Sequence, residues 1–336
     1  MPFFLPPVPA LPPGIDRSGK TAIVTGATQG IGLEISRQLL TCKVSNLVLA
    51  VRNLPKGEAV RQALLSEPAV KTANPNATIQ VLKLDAENYE SVQHFVSVFK
   101  AEFHDLHLLF ANAGIGTAAK ELASSGHEKN IQVNYLSNVL LTLALLPTLE
   151  TTATKTGEPT RVTWTGSRGH KQSSLAGKPS SKKGEQVLKH LDTADALPMF
   201  TRYADSKLLC VLFQLELARH YGPDKVIVNS FCPGMVDTGM TDVLPIYLRV
   251  PVNAVKAIRA RSPKKAAWIA LNAAVVAGAE THGRLLGDMA VEEPWEWIKS
   301  EEGQRVQKMV WNETIGEMAG MVDLPVWDIN GDGMPQ

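Results

Sequence analysis

The run Thr25-Gly26-Ala27-Thr28-Gln29-Gly30-Ile31-Gly32 constrains the fold of this chain more than any other segment. It follows the β-branched stretch Thr21–Thr25 and opens a helical pattern over Gly32–Thr41. Glycines there let the backbone turn sharply and approach a pyrophosphate, while the helix amino terminus offers unpaired N–H groups and partial positive charge. A strand, a glycine turn and a helix make the first half of a βαβ unit, which needs a parallel partner strand. Short apolar runs supply further strands at Asn46–Val51, Thr78–Leu84, Leu106–Ala111, Thr160–Thr165, Val226–Phe231 and Arg284–Gly287. Helical patterns lie between them at Lys56–Ser66, Tyr89–Phe103, Glu128–Leu146, Tyr203–Tyr221 and Pro263–Ala277. This alternation predicts an α/β chain with a doubly wound parallel sheet, whose strand carboxyl ends share one ligand-binding edge.

The chain has 336 residues, of which 44% are hydrophobic, enough for the core of one α/β domain with insertions. Its formal net charge of +1 gives no general pull toward nucleic acid or an anionic membrane. Val139–Leu146, the most apolar stretch, is too short to span a bilayer. Cys42, Cys210 and Cys232 are far apart and odd in number, which fits a reducing compartment and a cytoplasmic location. Prolines in residues 1–17 forbid a regular helix, so that segment reads as an extended arm lying on the domain.

Two residue patterns point to chemistry. The second strand ends Val51-Arg52, where enzymes that use NAD place a carboxylate for the ribose 2′-hydroxyl. Arg52 can pair with a 2′-phosphate instead, which favours NADP(H). Asp85, closing the third strand, can accept a hydrogen bond from an adenine amino group. Tyr203 and Lys207 stand four apart in Tyr203-Ala204-Asp205-Ser206-Lys207, so on a helix both point the same way. An ammonium beside a phenol favours the phenolate and suits it to proton exchange with an alcohol or carbonyl oxygen.

Thr25–Gly32, Asn112-Ala113-Gly114, Asn134, Ser167, Tyr203 with Lys207, and Pro233-Gly234 together resemble the short-chain dehydrogenases/reductases of the classical type. The resemblance covers about residues 18–290 and implies a Rossmann-fold catalytic domain there. Residues 168–200 form an insertion with a short helix near Glu185–His190, residues 235–260 a substrate loop, and residues 291–336 a helical extension. Four of the six tryptophans lie from residue 289 onward: Trp295, Trp297, Trp311 and Trp327.

The resemblance also implies roles. Tyr203 would be the general acid in carbonyl reduction, and Lys207 would tune it and bind the nicotinamide ribose. Ser167 would hydrogen-bond the substrate oxygen, and Asn134 would hold a relay water. Gly26, Thr28, Gln29, Gly30, Ile31 and Gly32 would cradle the cofactor, with Asn112, Ala113, Gly114, Val236 and Thr238 as further contacts. Three departures are visible: a single serine in Gly166-Ser167, Gln29 where NADP users often carry a basic residue, and a long gap from Ser167 to Tyr203. A segment in that gap can cover a face that relatives use to dimerise, leaving monomer and homodimer both open.

Met235, Met240, Val243, Leu244, Tyr247 and Leu248 suggest an apolar, adaptable pocket. The expectation is an NADP(H)-dependent interconversion of an apolar ketone or aldehyde and its alcohol, similar to fungal members of natural-product pathways. Oxidation of a sterol- or retinoid-like alcohol and a non-catalytic NADP(H)-binding module are the rival readings. His104 and His107, three apart with no third ligand, read as solvated. Lys178, Lys182 and Lys183 lack interleaved aromatics, so nucleic acid is not expected as a partner. Asp328–Gly333 reads as a polar tail rather than a calcium loop, since no later glutamate follows.

Overall fold

The computed structural model describes residues 6–176, 186–193 and 198–324. Its strands are β1 (Thr21–Thr25), β2 (Asn46–Val51), β3 (Thr78–Lys83), β4 (Leu108–Ala111), β5 (Thr160–Thr165), β6 (Val226–Cys232), β7 (Leu285–Gly287) and β8 (Ala290–Val291). They form one sheet in the order β3-β2-β1-β4-β5-β6-β7-β8. All neighbours pair parallel except β7 and β8. Every position of β1 and β6 is buried, because helices cover both faces of the sheet. The chain leaves β1 for β2 on one side, then returns to place β4 on the other. That reversal opens a crevice at the carboxyl ends of β1 and β4.

The helices are α1 (Gly30–Thr41), α2 (Leu54–Ser66), α3 (Pro68–Ala73), α4 (Tyr89–Glu102), α5 (Lys129–Ile131), α6 (Ser137–Thr156), α7 (Val187–Thr193), α8 (Tyr203–His220), α9 (Ile246–Arg259), α10 (Pro263–Leu271), α11 (Glu296–Lys299) and α12 (Glu301–Met318). One core layer packs α4, α6, α8 and α12 on the sheet through Phe95, Phe99, Trp164, Phe213 and Trp311. The other packs α1 and α10 through Ile35, Leu39, Ala270 and Leu271. Val8 of the amino-terminal arm is buried in this second layer, and the Pro6 carbonyl accepts from Arg261 Nη2 at 2.9 Å. Asn53 and Asn88 cap α2 and α4 by accepting from the N–H groups of Lys56 and Ser91.

Several expectations change in detail. The helix expected over Glu128–Leu146 runs as α5, a π turn at Gln132–Leu136, and α6 on to Thr156. Pro147 sits inside α6 without ending it, since Leu145, Leu146 and Leu149 are all fully buried around it. The helix stops at Gly157, which takes the left-handed conformation at φ 69°. By length and composition Lys129–Thr156 is apolar enough to cross a membrane, but 72% of its apolar window is buried inside the protein, as for a core helix. The insertion helix is α7, a few residues later than expected. The 235–260 segment is not all loop but contains α9, and α3 and β8 were not anticipated.

His107 is a correction: it is buried, not solvated, and its Nδ1 accepts from the Thr21 N–H at 3.0 Å. Burial, with Lys20 nearby, pushes its pKa down to about 4. Lys178, Lys182, Lys183, Trp327 and Asp328–Gly333 lie outside the described residues.

Candidate active site

The carboxyl edge of the sheet opens onto a groove of about 430 Å³, within the range of small-ligand sites. Gly26, Thr28, Gln29, Gly30, Ile31 and Gly32 enter it from the β1–α1 turn. Gly26 holds φ 66° there. A Cβ on Gly32 would lie 2.4 Å from the Gly26 carbonyl oxygen, so no larger residue fits without moving the turn. Gln29 is the N-cap of α1 but makes no side-chain capping bond, which leaves the helix amino terminus to an anionic ligand. A glycine cradle ending in an uncapped helix start fits the pyrophosphate of a dinucleotide.

Arg52 and Asp85 reach the same groove from the ends of β2 and β3, and Asn112, Ala113 and Gly114 from the end of β4. Thr238 enters after β6, whereas Val236 does not line the groove but bridges Arg261 in the backbone. Arg52 is 67% exposed and pairs with Glu87 at 2.8 Å. Lys56 Nζ donates to Gln29 Oε1 at 2.7 Å, adding a second cation beside the glycine turn. Asp85 accepts from the Glu87 N–H with one carboxylate oxygen. Glu87 and Lys56 carried no sequence signal, because only the return of α2 and of the β3–α4 loop brings them here.

Threonines stitch the floor. Thr25 Oγ1 accepts from the N–H groups of Asn112 and Ala113 at 2.9 and 2.8 Å. The Asn112 side chain donates to the Thr25 carbonyl and accepts from Thr165 Oγ1. The ends of β1, β4 and β5 are thereby held in register. Thr165 also joins this groove to the second cluster of expected residues, since Lys207 Nζ donates to its carbonyl at 2.8 Å.

That second cluster is Asn134, Ser167, Tyr203 and Lys207, none of which lines the groove itself. Lys207 is buried, with its ammonium 5.6 Å from the centroid of the Tyr203 ring. Asn134 sits in the π turn, where its side chain accepts from the Ile115 N–H at 2.7 Å and donates to Ser206 Oγ at 3.0 Å. A Cβ on Gly114 would meet Asn134 Oδ1 at 3.1 Å and Lys207 Nζ at 3.7 Å, so Asn134, Lys207 and the cradle edge converge on that glycine. A second π turn, Pro198–Arg202, leads directly into Tyr203. Such widened turns are frequent at functional sites, because they shift the register of a helix side chain. Ser167 follows β5 and caps the short 3₁₀ turn Arg168–Gln172 by accepting from the Gly169 N–H at 3.0 Å.

Against the Thr238 side of the groove, α9 lies inverted. Lys256 is buried and donates to the Thr238 carbonyl at 2.7 Å and to Thr241 Oγ1 at 3.2 Å. Ile246, Tyr247, Val250 and Ile258, on the opposite side, are each more than 60% exposed. Met240 and Val243, just before α9, line the groove.

Comparison with known proteins agrees with this architecture. Residues 20–174 match the short chain dehydrogenase family model. The chain is 48% identical to the short-chain dehydrogenase/reductase tropG of Talaromyces stipitatus over 96% of its own length and 98% of the relative's. It is likewise 48% identical to the short chain dehydrogenase macD of Penicillium terrestre, over 95% and 97%. Among solved structures, the Pseudomonas aeruginosa RhlG/NADP active-site complex superposes with a TM-score of 0.60 at 22% identity, covering 82% of this chain and 97% of that one. That last likeness speaks for the fold alone. The chain belongs to the short-chain dehydrogenase/reductase family of oxidoreductases.

Proposed function

We propose that the protein is an NADP(H)-dependent oxidoreductase that interconverts an apolar ketone or aldehyde and its alcohol, working as a reductase in the cytoplasm. The observation that carries this reading is the Lys207–Thr165 bond, because it couples the nucleotide groove to the Tyr203 cluster. The nicotinamide cofactor supplies hydride chemistry when bound. The chain's own part is proton handling and orientation. Tyr203 gives the proton to the substrate oxygen, and Lys207 sets a positive charge beside the ring that loses it. The Ser167 hydroxyl holds the substrate oxygen and meets the charge that develops on it. Asn134, bonded to Ile115 and to Ser206, ties the cradle edge to α8 beside Lys207.

Arg52 and Lys56 support NADP(H) as the cofactor, since both are cations on the side where a 2′-phosphate would sit. The exposed Arg52–Glu87 pair is worth little in water, so a phosphate can replace Glu87 at small cost. Met240, Val243 and the apolar row of α9 support an apolar substrate. The three free cysteines fit a reducing compartment. Fungal relatives at 48% identity support, by analogy, a role in natural-product metabolism.

The test is oxidation of NADPH by purified protein across a panel of apolar ketones, aldehydes and quinones, with NADH in parallel. Turnover with NADPH and weak turnover with NADH is the expected result. Tight NADPH binding with no turnover on any compound would turn the reading toward a binding module.

A further inference from the structure

Asp205 lies between Tyr203 and Lys207 in sequence but not in space. Residues two apart on a helix point in nearly opposite directions, so Asp205 projects from the back of α8 while Tyr203 and Lys207 share its front face. Its carboxylate is fully buried. One oxygen accepts from Ser173 Oγ at 2.7 Å, from the Ser174 N–H at 2.7 Å and from Ser174 Oγ at 3.0 Å. The other accepts from Ser174 Oγ at 3.0 Å and from Arg202 Nη1 at 2.9 Å. Such a set of donors is far more than a charge at a helix start requires.

Residues 165–174 therefore form a strap around the first turns of α8, pinned at both ends. At the front, Lys207 Nζ holds the Thr165 carbonyl. At the back, Asp205 holds Ser173 and Ser174. Between the pins the strap is stiffened from within. The Ser167 carbonyl accepts from the His170 N–H at 3.2 Å and contacts His170 Nδ1 at 2.7 Å, and the Ser173 N–H donates to the His170 carbonyl. Burial holds His170 toward its neutral form, so the ring stays a single-proton partner. The Gly166 N–H donates to the Phe231 carbonyl at 2.8 Å and the Arg168 N–H to Cys232 Sγ at 3.2 Å, so the Ser167 backbone is held on β6, and the back pin fixes the turn that the Ser167 hydroxyl caps.

We propose that Asp205 is a positioning residue for the Ser167 hydroxyl: by fixing Ser173 and Ser174 behind α8, it sets Ser167 against Tyr203 at the front. This rests on the role given to Ser167 above. A displaced hydroxyl would still leave the cofactor groove intact, so the effect falls on kcat and not on cofactor binding. Misplacing a catalytic group by about an ångström costs up to about a hundredfold in rate.

The experiment uses the double variant Ser173→Ala/Ser174→Ala, which keeps the Arg202–Asp205 ion pair, beside Asp205→Asn. Each is made in wild-type and Ser167→Ala backgrounds, and kcat, the KM for NADPH and amide hydrogen exchange are measured. The expected result is a roughly ten- to hundredfold fall in kcat with an unchanged KM for NADPH. Exchange at Gly169 and His170 should quicken, and the variants should cost nothing further once Ser167 is alanine. Unchanged exchange protection in the double variant overturns the proposal whatever the activity. So does an equal loss of kcat in both backgrounds, which a merely structural role would give. If Ser167→Ala alone turns over like wild type, the functional reading fails, and the exchange data still say whether Asp205 pins the strap.

Discussion

The two ends of the site are built on opposite principles. At the nucleotide end, backbone dominates: glycines admit the ligand, Thr25 and Asn112 lock three strand ends together, and an uncapped helix start faces the groove. Little there can vary without steric conflict. At the proposed substrate end, side chains dominate, and α9 turns its apolar row outward over a buried lysine. A rigid cradle beside an exposed apolar wall would let a fold keep its cofactor chemistry while changing what it acts on.

The contrast can be broken most forcibly at Gly32. Gly32→Ala puts a Cβ 2.4 Å from the Gly26 carbonyl and should abolish cofactor binding while the protein stays folded. Titration of NADPH by fluorescence reads this directly, and near-normal affinity would mean the turn is not the cradle. Arg52→Ala should weaken NADPH by about tenfold and leave NADH unchanged, the loss expected for one charge-assisted pair. Glu87→Gln should move NADPH affinity the other way, because it frees Arg52.

A fourth prediction concerns the segments outside the groove. His127 links α7 to α12 through Asp192 at 2.8 Å and Glu317 at 3.2 Å, and Tyr89 also reaches Glu317. Burial alone would lower its pKa, but the hydrogen bonds to Asp192 and Glu317 hold it up at about 9. The unfolded value is about 6.5. The clamp's contribution is therefore complete below about pH 6.5 and is lost as pH rises through about 9. Thermal melts from pH 7 to 10 should fall more steeply for wild type than for His127→Gln, by on the order of 1–2 kcal/mol. Parallel curves would remove the clamp from the account. The smallest effect belongs to α9: Val250→Glu on its exposed row should change stability by no more than about 0.5 kcal/mol. It should nonetheless raise KM for apolar ketones.

The nucleotide end was largely legible in the sequence, because glycine spacing between a strand and a helix reports a steric requirement that only a few residues meet. Tyr203 and Lys207 were legible as a helical pair for the same reason of fixed period. What escaped were effects of tertiary return. Lys56 reaches Gln29 only because the start of α2 returns, after β2, to the glycine turn that opens α1. Asp205 carries no signal of its own in the sequence, since its partners Ser173 and Ser174 come round behind it from 32 and 31 residues away. His107 looked solvated near a helix end, but the start of β1 takes its Nδ1. The π turns at Gln132–Leu136 and Pro198–Arg202 leave no mark in an apolar period, although they orient Asn134 and lead into Tyr203. The apolar pattern faded at Leu146, yet burial on both sides of Pro147 carries α6 on to Thr156.

The most direct test of the central claim is a paired measurement of turnover and NADPH affinity for wild type and Tyr203→Phe. The variant's kcat should fall about 10²- to 10⁴-fold, the span of general acid catalysis, with affinity for NADPH nearly unchanged. Wild-type turnover in the variant would contradict it.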